Sequence, residues 1–476
     1  MPITSVHPLY TDQQKRVRFT RDMCSDGIHI REQGSRYLPA SFADSTKEDD
    51  QKRYAAYLKR AYFYGATGKT KRDMVGAAFR KPSASELPGE LEPLIKNFDG
   101  AGNGIEAINK SGIDNLLEAG KHALLADYPV VEDGLTAEQE AAMNLMPYVS
   151  EYTSETIDNW KTDLVYGRTM LVMVKLVEWE KVVKDEFSFD TKKTFRVLRL
   201  RSPEEANEIF GGTFKDYVYT QALYDEGEAV ITPEYIPTMP TPGVRGSGTH
   251  FNFIPFFIAD VGKPPLMEIA EVNLAHYQTT ADYRENLHQH GQMTIGIRSA
   301  LSFEQFQSAN PDGVSVGAMT GHFLGENGGF ESVSAPESSS LDKALGDMQK
   351  QMETMGAKLM TEGAQKTAEE ARLNASSQTS ILDSVVSVWN DEVLLPALRA
   401  CAMYKGVNPD LVSYTMNRDY YDTSINAQDA AAIVTLKDSQ AIAVSDMRYM
   451  LRTGKIKLDP ARTDEMIDAD LASESI

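Results

Sequence analysis

Cysteine is nearly missing. Cys24 and Cys401 are the two present in 476 residues. They lie far apart and share no metal-ligand spacing. Neither a disulfide framework nor a zinc module is expected, and both read as buried or free thiols in a reducing compartment. Long apolar runs are missing too: no stretch approaches the roughly 18 to 20 residues that span a bilayer. The start, Met1-Pro-Ile-Thr-Ser-Val-His-Pro8, has no basic segment followed by an apolar core, so no secretory leader is expected. Positive charge is in short supply, with 48 Lys and Arg against 69 Asp and Glu, a net charge of −21. A chain this acidic makes a poor general DNA gripper, because phosphate binding needs clustered cations. No Ser–His–Asp, Cys–His or nucleophile-elbow pattern stands in the sequence, and no enzyme is expected. There is no internal repeat of solenoid period.

What is present is enough chain for two to four domain-sized units and a sizeable core, with an ordinary hydrophobic fraction of 42%. The charge is uneven. Residues 1–81 carry 16 Lys and Arg against 9 Asp and Glu, a balance of +7, which leaves −28 for the rest. One reading is a solvated basic helix face. The other is a subunit whose basic and acidic surfaces meet in a ring or face different partners.

The first 81 residues read as helices and short loops. Asp49 to Tyr64 is amphipathic, with Tyr54, Tyr57, Leu58, Ala61 and Tyr62 on one side and an acidic start that suits the helix dipole. A Pro- and Gly-rich connector spans 82–104, residues 105–127 read as helix, and 130–147 as an acidic insertion. From about Thr162 the period changes. Met170–Trp179, Thr194–Leu200 and Tyr217–Tyr224 are rich in β-branched and aromatic residues and predict strands. Pro237, Pro240 and Pro242, then Gly243, Gly246 and Gly248, predict a flexible loop, and Phe253–Ile258 a short strand. Pro264-Pro265 opens a helix whose apolar face is Leu266, Ile269, Ala270, Leu274, Tyr277 and Ala281. A Gly-rich β region covers 293–335.

The most telling segment runs from Ser340 to Met403. Leu341, Leu345, Met348, Met352, Met355 and Leu359 form one apolar seam at spacings of 4, 3, 4, 3 and 4. The pattern stops at Met360-Thr-Glu-Gly-Ala-Gln-Lys366. It resumes at Thr367 and continues through Ile381, Leu382, Val385, Val386, Trp389 and Leu394. The Met-rich seam fits core packing and subunit contact equally well.

Three motifs are weighed and set aside. Gly65-Ala-Thr-Gly-Lys-Thr70 lacks the first glycine of a phosphate loop, since Phe63 stands there, and follows a helix rather than a strand; an interhelix turn is expected. Asp99-Gly-Ala-Gly-Asn-Gly104 has Ala101 and Lys110 where a calcium loop needs ligands, so a Gly-rich turn is expected. His288 and His290 lack a third ligand at a telling spacing. No metal or cofactor is expected.

Taken in order, a series of short pieces resembles the portal protein of tailed bacteriophages, in particular podovirus- and siphovirus-type portals long catalogued only as a domain of unknown function. The pieces are His7-Pro-Leu-Tyr10 with Arg21-Asp22; Tyr37-Leu-Pro39; Tyr57–Tyr62; Val75–Pro82; Asn97–Gly100; Glu118–Gly120 with Asp127–Pro129; Tyr152 to Trp160; Ile254-Pro255; Pro264–Leu266 with Asn273–Tyr277; and Lys366–Arg372 with Leu382. They cover about residues 7–405, and the last seventy residues match least well. The resemblance implies an α+β, helix-dominated portal-type fold assembled as a homo-dodecameric ring at one capsid vertex, around an axial channel for double-stranded DNA. It implies a wing at 1–190 and 292–360, a clip at 191–260, and a stem helix at 261–291. It further implies a tunnel loop at 361–366, a kinked tunnel helix at 367–404 and a crown at 405–476. The implied partners are a head–tail adaptor, the terminase large subunit, and the major capsid and scaffolding proteins, with the virion as location. Lys358, Glu362, Gly363, Gln365, Lys366, Glu369 and Glu370 are the expected DNA-channel residues. Pro237, Pro240, Pro242 and Arg245 are the expected clip docking residues. Two rivals remain: a ring-forming scaffold or adaptor without DNA contact, and an enzyme using His288 and His290 or buried carboxylates.

Overall fold

The computed structural model describes residues 2–40, 42–43, 45–129, 143, 145–237, 250–291, 294–311, 324, 326–333, 339–355, 381–420 and 434–435. The chain divides into two compact units, Met1–Met416 and Asn417–Ile476. Of the second, residues 417–420 and 434–435 are described, and in the first piece the Asn417 side chain accepts from the Asp419 N–H at 2.9 Å. The first unit is mixed α/β, with more of its described residues in helix than in strand.

Its N-terminal helices are α1 (Tyr10–Cys24), α2 (Glu48–Arg60), α3 (Ala66–Ala78) and α4 (Ile105–Ala119). Helix α2 starts on Glu48, Asp49 and Asp50 and ends on Lys59 and Arg60, as the helix dipole favours. Helix α4 stops at Gly120, which takes a φ of +71° and returns its N–H to the Leu116 carbonyl at 2.9 Å. Helix was expected to continue to residue 127. Instead the chain turns at Gly120 into strand β1 (Lys121–Asp127), every residue of which is buried. A strand covered on both faces has no polar alternation, so it reads like more of the helix before it.

Strand β1 is the middle of a three-stranded antiparallel sheet between β2 (Tyr148–Thr153) and β8 (Phe256–Asp260). The second sheet is a meander of neighbours in chain order: β3 (Ile157–Val165), β4 (Arg168–Val183), β5 (Phe189–Arg201), β6 (Val218–Asp225) and β7 (Val230–Tyr235). The strands expected from β-branched and aromatic patterning are there. The expected boundary between 190 and 191 falls inside β5, which is hydrogen-bonded to both neighbours. The sheet therefore runs across that boundary. Leu125, Tyr152 and Phe256 of the small sheet share one core with Val174, Leu176, Leu198, Leu200 and Tyr219 of the meander.

The predicted helix after Pro264-Pro265 is α5 (Met267–Gly291). Ala270, Tyr277 and Ala281 pack against Met23, Ile30, Tyr37 and Tyr57 of the N-terminal helices. A second stripe, Asn273, His276 and Thr280, is buried as well. The Gly-rich region contains a hairpin of β9 (Thr294–Arg298) and β10 (Gly329–Val333), with a short helix, Phe303–Ala309, between them. Helix α6 (Ser339–Met355) follows, and α7 covers 381–404.

Candidate functional site

The candidate site is the segment between α6 and α7 where the sequence predicts an interruption. Lys358, Glu362, Gly363, Gln365, Lys366, Glu369 and Glu370 lie outside the described residues, so the site is defined by what holds its two flanks. On the first flank α6 packs along α5. Met352 is 0% exposed and Leu345 is buried, whereas Leu341, Met348 and Met355 are partly exposed; Leu359 lies outside the described residues. Leu345 and Met352 are thus packed inside the chain, the core-packing half of the two uses open to this seam. A partly buried polar contact links the same pair of helices: Gln349 Nε2 lies 3.3 Å from His276 Nε2. Burial keeps the His276 imidazole below its ordinary value, in the neutral form that can accept this bond.

On the second flank the helix widens into a π-turn over Trp389–Leu394 before Pro396. Proline has no N–H and its ring crowds the preceding turn, so a widened turn ahead of it relieves the clash. The fully buried Trp389 donates from its indole N–H to Asn109 Oδ1 of α4 at 2.9 Å. Asn109 in turn donates to the Tyr414 hydroxyl at 3.0 Å. Asn390 accepts from the Met416 N–H at 3.1 Å and donates to the Tyr414 carbonyl. Gly112 leaves the room for the indole: a Cβ there would sit 2.3 Å from Trp389 Cζ2. Both flanks of the interruption are therefore fixed to the body of the first unit by buried side chains.

Of the expected clip residues, Pro237 is described and buried just after β7; Pro240, Pro242 and Arg245 lie outside the described residues. The loop's far end returns through His250, whose ring meets Phe214 edge-on at 5.5 Å, and the buried Phe251.

The basic excess of residues 1–81 is partly consumed inside the fold. Arg21 bonds Glu118 at 3.0 Å and Asn115 at 2.8 Å, and pairs with Glu155. Lys71 bonds Glu118 at 2.5 Å and Asp114 at 3.0 Å. Arg60 of α2 bonds Glu285 of α5. The helices of this region are thus clamped by cations meeting carboxylates far away in sequence. A second network sits between the two sheets. Arg196 bonds Glu178 at 2.6 Å and Gln221 at 3.0 Å, Tyr152 donates to Glu178 at 2.5 Å, and the buried Asp127 lies near. Burial alone would lower the Arg196 value, but the Glu178 bond and the surrounding charges outweigh it and hold the guanidinium charged.

The segment resembling a phosphate loop is the first turn of α3 rather than an interhelix turn. Its amides are already engaged: Asn273 Oδ1 accepts from the Thr67 N–H at 3.0 Å and from Thr67 Oγ1 at 3.1 Å. Gly68 packs on the Cys24 carbonyl, where a Cβ would lie 2.5 Å away. The Asp99–Gly104 segment is a tight turn. Asp99 accepts from the N–H groups of Ala101 and Asn103 at 2.8 and 3.0 Å, with Gly100 and Gly102 at positive φ. Among the described residues no cluster of three or more His, Cys, Asp or Glu is placed to hold a metal ion. Cys401 is fully buried and burial pushes its thiol up, away from nucleophilic chemistry. Among the described residues no helix is long and apolar enough to cross a membrane.

Sequence reasoning missed one arrangement. The residues before α1 form a strap across the meander. Lys175, itself buried, donates to the carbonyls of Ile3 and Ser5 at 2.6 and 2.9 Å and pairs with Asp158 at 3.1 Å. The His7 ring stacks on Trp160 at 3.9 Å, and Lys121 lies over the same indole at 4.1 Å. An Asn159 side chain bond to Ser5 and a His7 N–H bond to the Asp158 carbonyl complete it. A lysine in the middle of a predicted strand, Lys175, was the one available signal.

A family model described as Domain of unknown function (DUF4055) matches residues 265–405, which is α5 through α7. No curated protein matches the chain. Among solved structures, the chain is similar to one in the virion of a native gene transfer agent particle, at 11% identity and a TM-score of 0.35. That alignment covers 83% of this chain and 92% of the other. Chains of the neck of the native particle computed with C12 symmetry, and of the empty particle computed with C6 symmetry, align at 13% identity. Their TM-scores are 0.34 and 0.33, over the same 83% and 92%.

Proposed function

We propose that this chain is a ring-forming, non-enzymatic portal subunit of a phage-like virion. In this reading twelve copies surround a channel for genome packaging and ejection. The observation that carries the reading is the pair of anchored helices α6 and α7 that flank the expected interruption. Its two flanks are locked by Met352, His276 and Gln349 on one side and by Trp389, Asn109 and Asn390 on the other. Between them stands a polar, glycine-containing segment, Thr361 to Lys366. Anchored helices on either side of a polar segment suit a part that touches a passing duplex without gripping it. Net charge argues the same way: an acidic lining repels phosphate and limits the counterion release that would make sliding DNA stick. The ordered sequence pieces add support, because several of them, Pro264–Leu266, Asn273–Tyr277 and Leu382, lie in or beside the helices that form the flanks.

Gly363 and Ala364 let the backbone leave helical geometry at modest cost. The expected result for Gly363→Pro is rings that form normally and packaging that falls. Wild-type packaging by that variant contradicts the assigned role of the loop.

A further inference from the structure

The meander carries a protrusion that nothing in its own chain covers among the described residues. Strands β4 and β5 stay paired from Val177 opposite Phe195 out to Val183 opposite Phe189. Their neighbours stop short: β3 ends its pairing at Ile157 opposite Leu176, and β6 at Asp225 opposite Thr194. Beyond those points the hairpin is a two-stranded ribbon, and among the described residues no further strand adds to either edge. At its tip Asp185 accepts from the N–H groups of Phe187 and Ser188, both at 2.9 Å, and this turn presents Phe187 at 89% exposure. Trp179, Val183 and Phe189 are also exposed, at 61%, 76% and 56%.

Such a ribbon is a poor object in isolation. Two strands alone are marginal in water, and open edges of unpaired N–H and C=O groups are templates for another chain. A row of exposed Trp, Val and Phe marks a contact surface. Its charges indicate what the contact is. Along the ribbon β4 carries Glu180 and Lys181 and β5 carries Asp190, Lys192 and Lys193, while Glu178 at its base is held by Arg196 and Tyr152. Register sets them level: Glu180 stands opposite Lys192 and Trp179 opposite Lys193. Rotating a copy about an axis along the strands brings β5 of one beside β4 of the next. The strands are then antiparallel, in the same sense as within the hairpin, and Lys192 meets Glu180 at the same height.

We infer that residues 177–193 pair edge to edge with the same ribbon of the neighbouring copy, so that a closed ring of copies carries a continuous antiparallel collar. The inference rests on the ring reading above. Contact of this kind is head-to-tail: each copy gives its β4 edge to one neighbour and its β5 edge to the other, and closure leaves no edge open. Exposed tip residues become neighbours across the junction. Local pairs limit the charge left over: Lys184 bonds Asp190 across its own hairpin at 2.8 Å, and Lys192 lies 3.6 Å from Asp225. The backbone edges and the apolar residues therefore carry the contact, and Glu180 and Lys192 set its register.

The test uses the full chain and exchanges one charge at a time. In Glu180→Lys, the introduced ammonium group faces Lys192 in its own hairpin and in the next copy; in Lys192→Glu, two carboxylates face each other likewise. Mixed one to one, the two variants can alternate around an even-numbered ring, and every junction between copies is then complementary although every hairpin is still mismatched. Ring formation is read by mass photometry across a concentration series, with thermal melts to show that each variant folds. The expected result is that each variant alone needs about tenfold more protein to assemble, since like charges opposite one another destabilise strand pairs, and that the mixture recovers. Wild-type assembly by either variant alone overturns the collar, and so does a mixture no better than its parts. Intact rings that lose capture of an adaptor protein instead overturn it in favour of a different occupant. A wild-type chain that stays monomeric in every condition overturns the ring reading together with the collar.

Discussion

At the residue scale, the fold depends on a few positions where a small or buried group leaves no alternative. Gly112 is one. A methyl group there would drive into the Trp389 indole, so Gly112→Ala forces the indole or α4 to shift. The expected loss is about 1–3 kcal/mol, the usual cost of overpacking, seen as a lower unfolding midpoint in urea with an unchanged slope. His7 is another. Its Nδ1 accepts from the Leu9 N–H at 3.2 Å and its ring lies on Trp160. Burial first, and the Lys121 charge second, hold it below its ordinary value of 6.5. A depressed histidine value favours the neutral form in the docked strap. Its contribution is therefore present above pH 6.5 and is lost as pH falls through the lowered value. Acidification below 6.5 is expected to loosen the strap, seen as a change in Trp160 emission that His7→Phe removes. The same emission profile in wild type and His7→Phe would contradict this. None of these contacts was legible beforehand. His7 and Trp160 are 153 positions apart, Gly112 and Trp389 are 277 apart, and a sequence pattern records faces rather than partners.

At the element scale, more could be read. Strands such as β4 and β6 announce themselves by β-branched and aromatic content, and α5 by its proline entry and apolar stripe. Strand β1 was hidden because all seven residues are buried, and the real signal was Gly120, a helix stop rather than a strand start. The Met seam of α6 was legible as a seam but not in its use: Leu345 and Met352 face their own chain. Pairing across the sheets, such as β1 with β8 more than 130 residues later, left no local trace. The loop after β7 gives an element-scale prediction. Both of its ends are anchored, through the buried Pro237 and Phe251, so removing residues 238–248 should leave the body folded. Rings are expected to form and adaptor or terminase docking to fail. Full docking by the deleted protein would contradict the assigned role of this loop.

At the scale of the whole molecule, the acidic balance, the anchored helices α6 and α7 and the open ribbon all bear on the proposed ring. Cations of the first 81 residues are drawn into clamps between helices, Arg21 with Glu118 and Lys71 with Asp114. The basic excess seen in sequence is therefore partly structural cement rather than a DNA-binding surface. On the ribbon, Trp179, Val183, Phe187 and Phe189 stay exposed. Each of these is accounted for if identical copies close around a passing duplex. The most direct measurement is electron microscopy of the purified full-length protein. The account predicts closed rings of cyclic symmetry with an axial channel wide enough for double-stranded DNA. Monomers at every concentration, or rings whose channel is too narrow for a duplex, would contradict it.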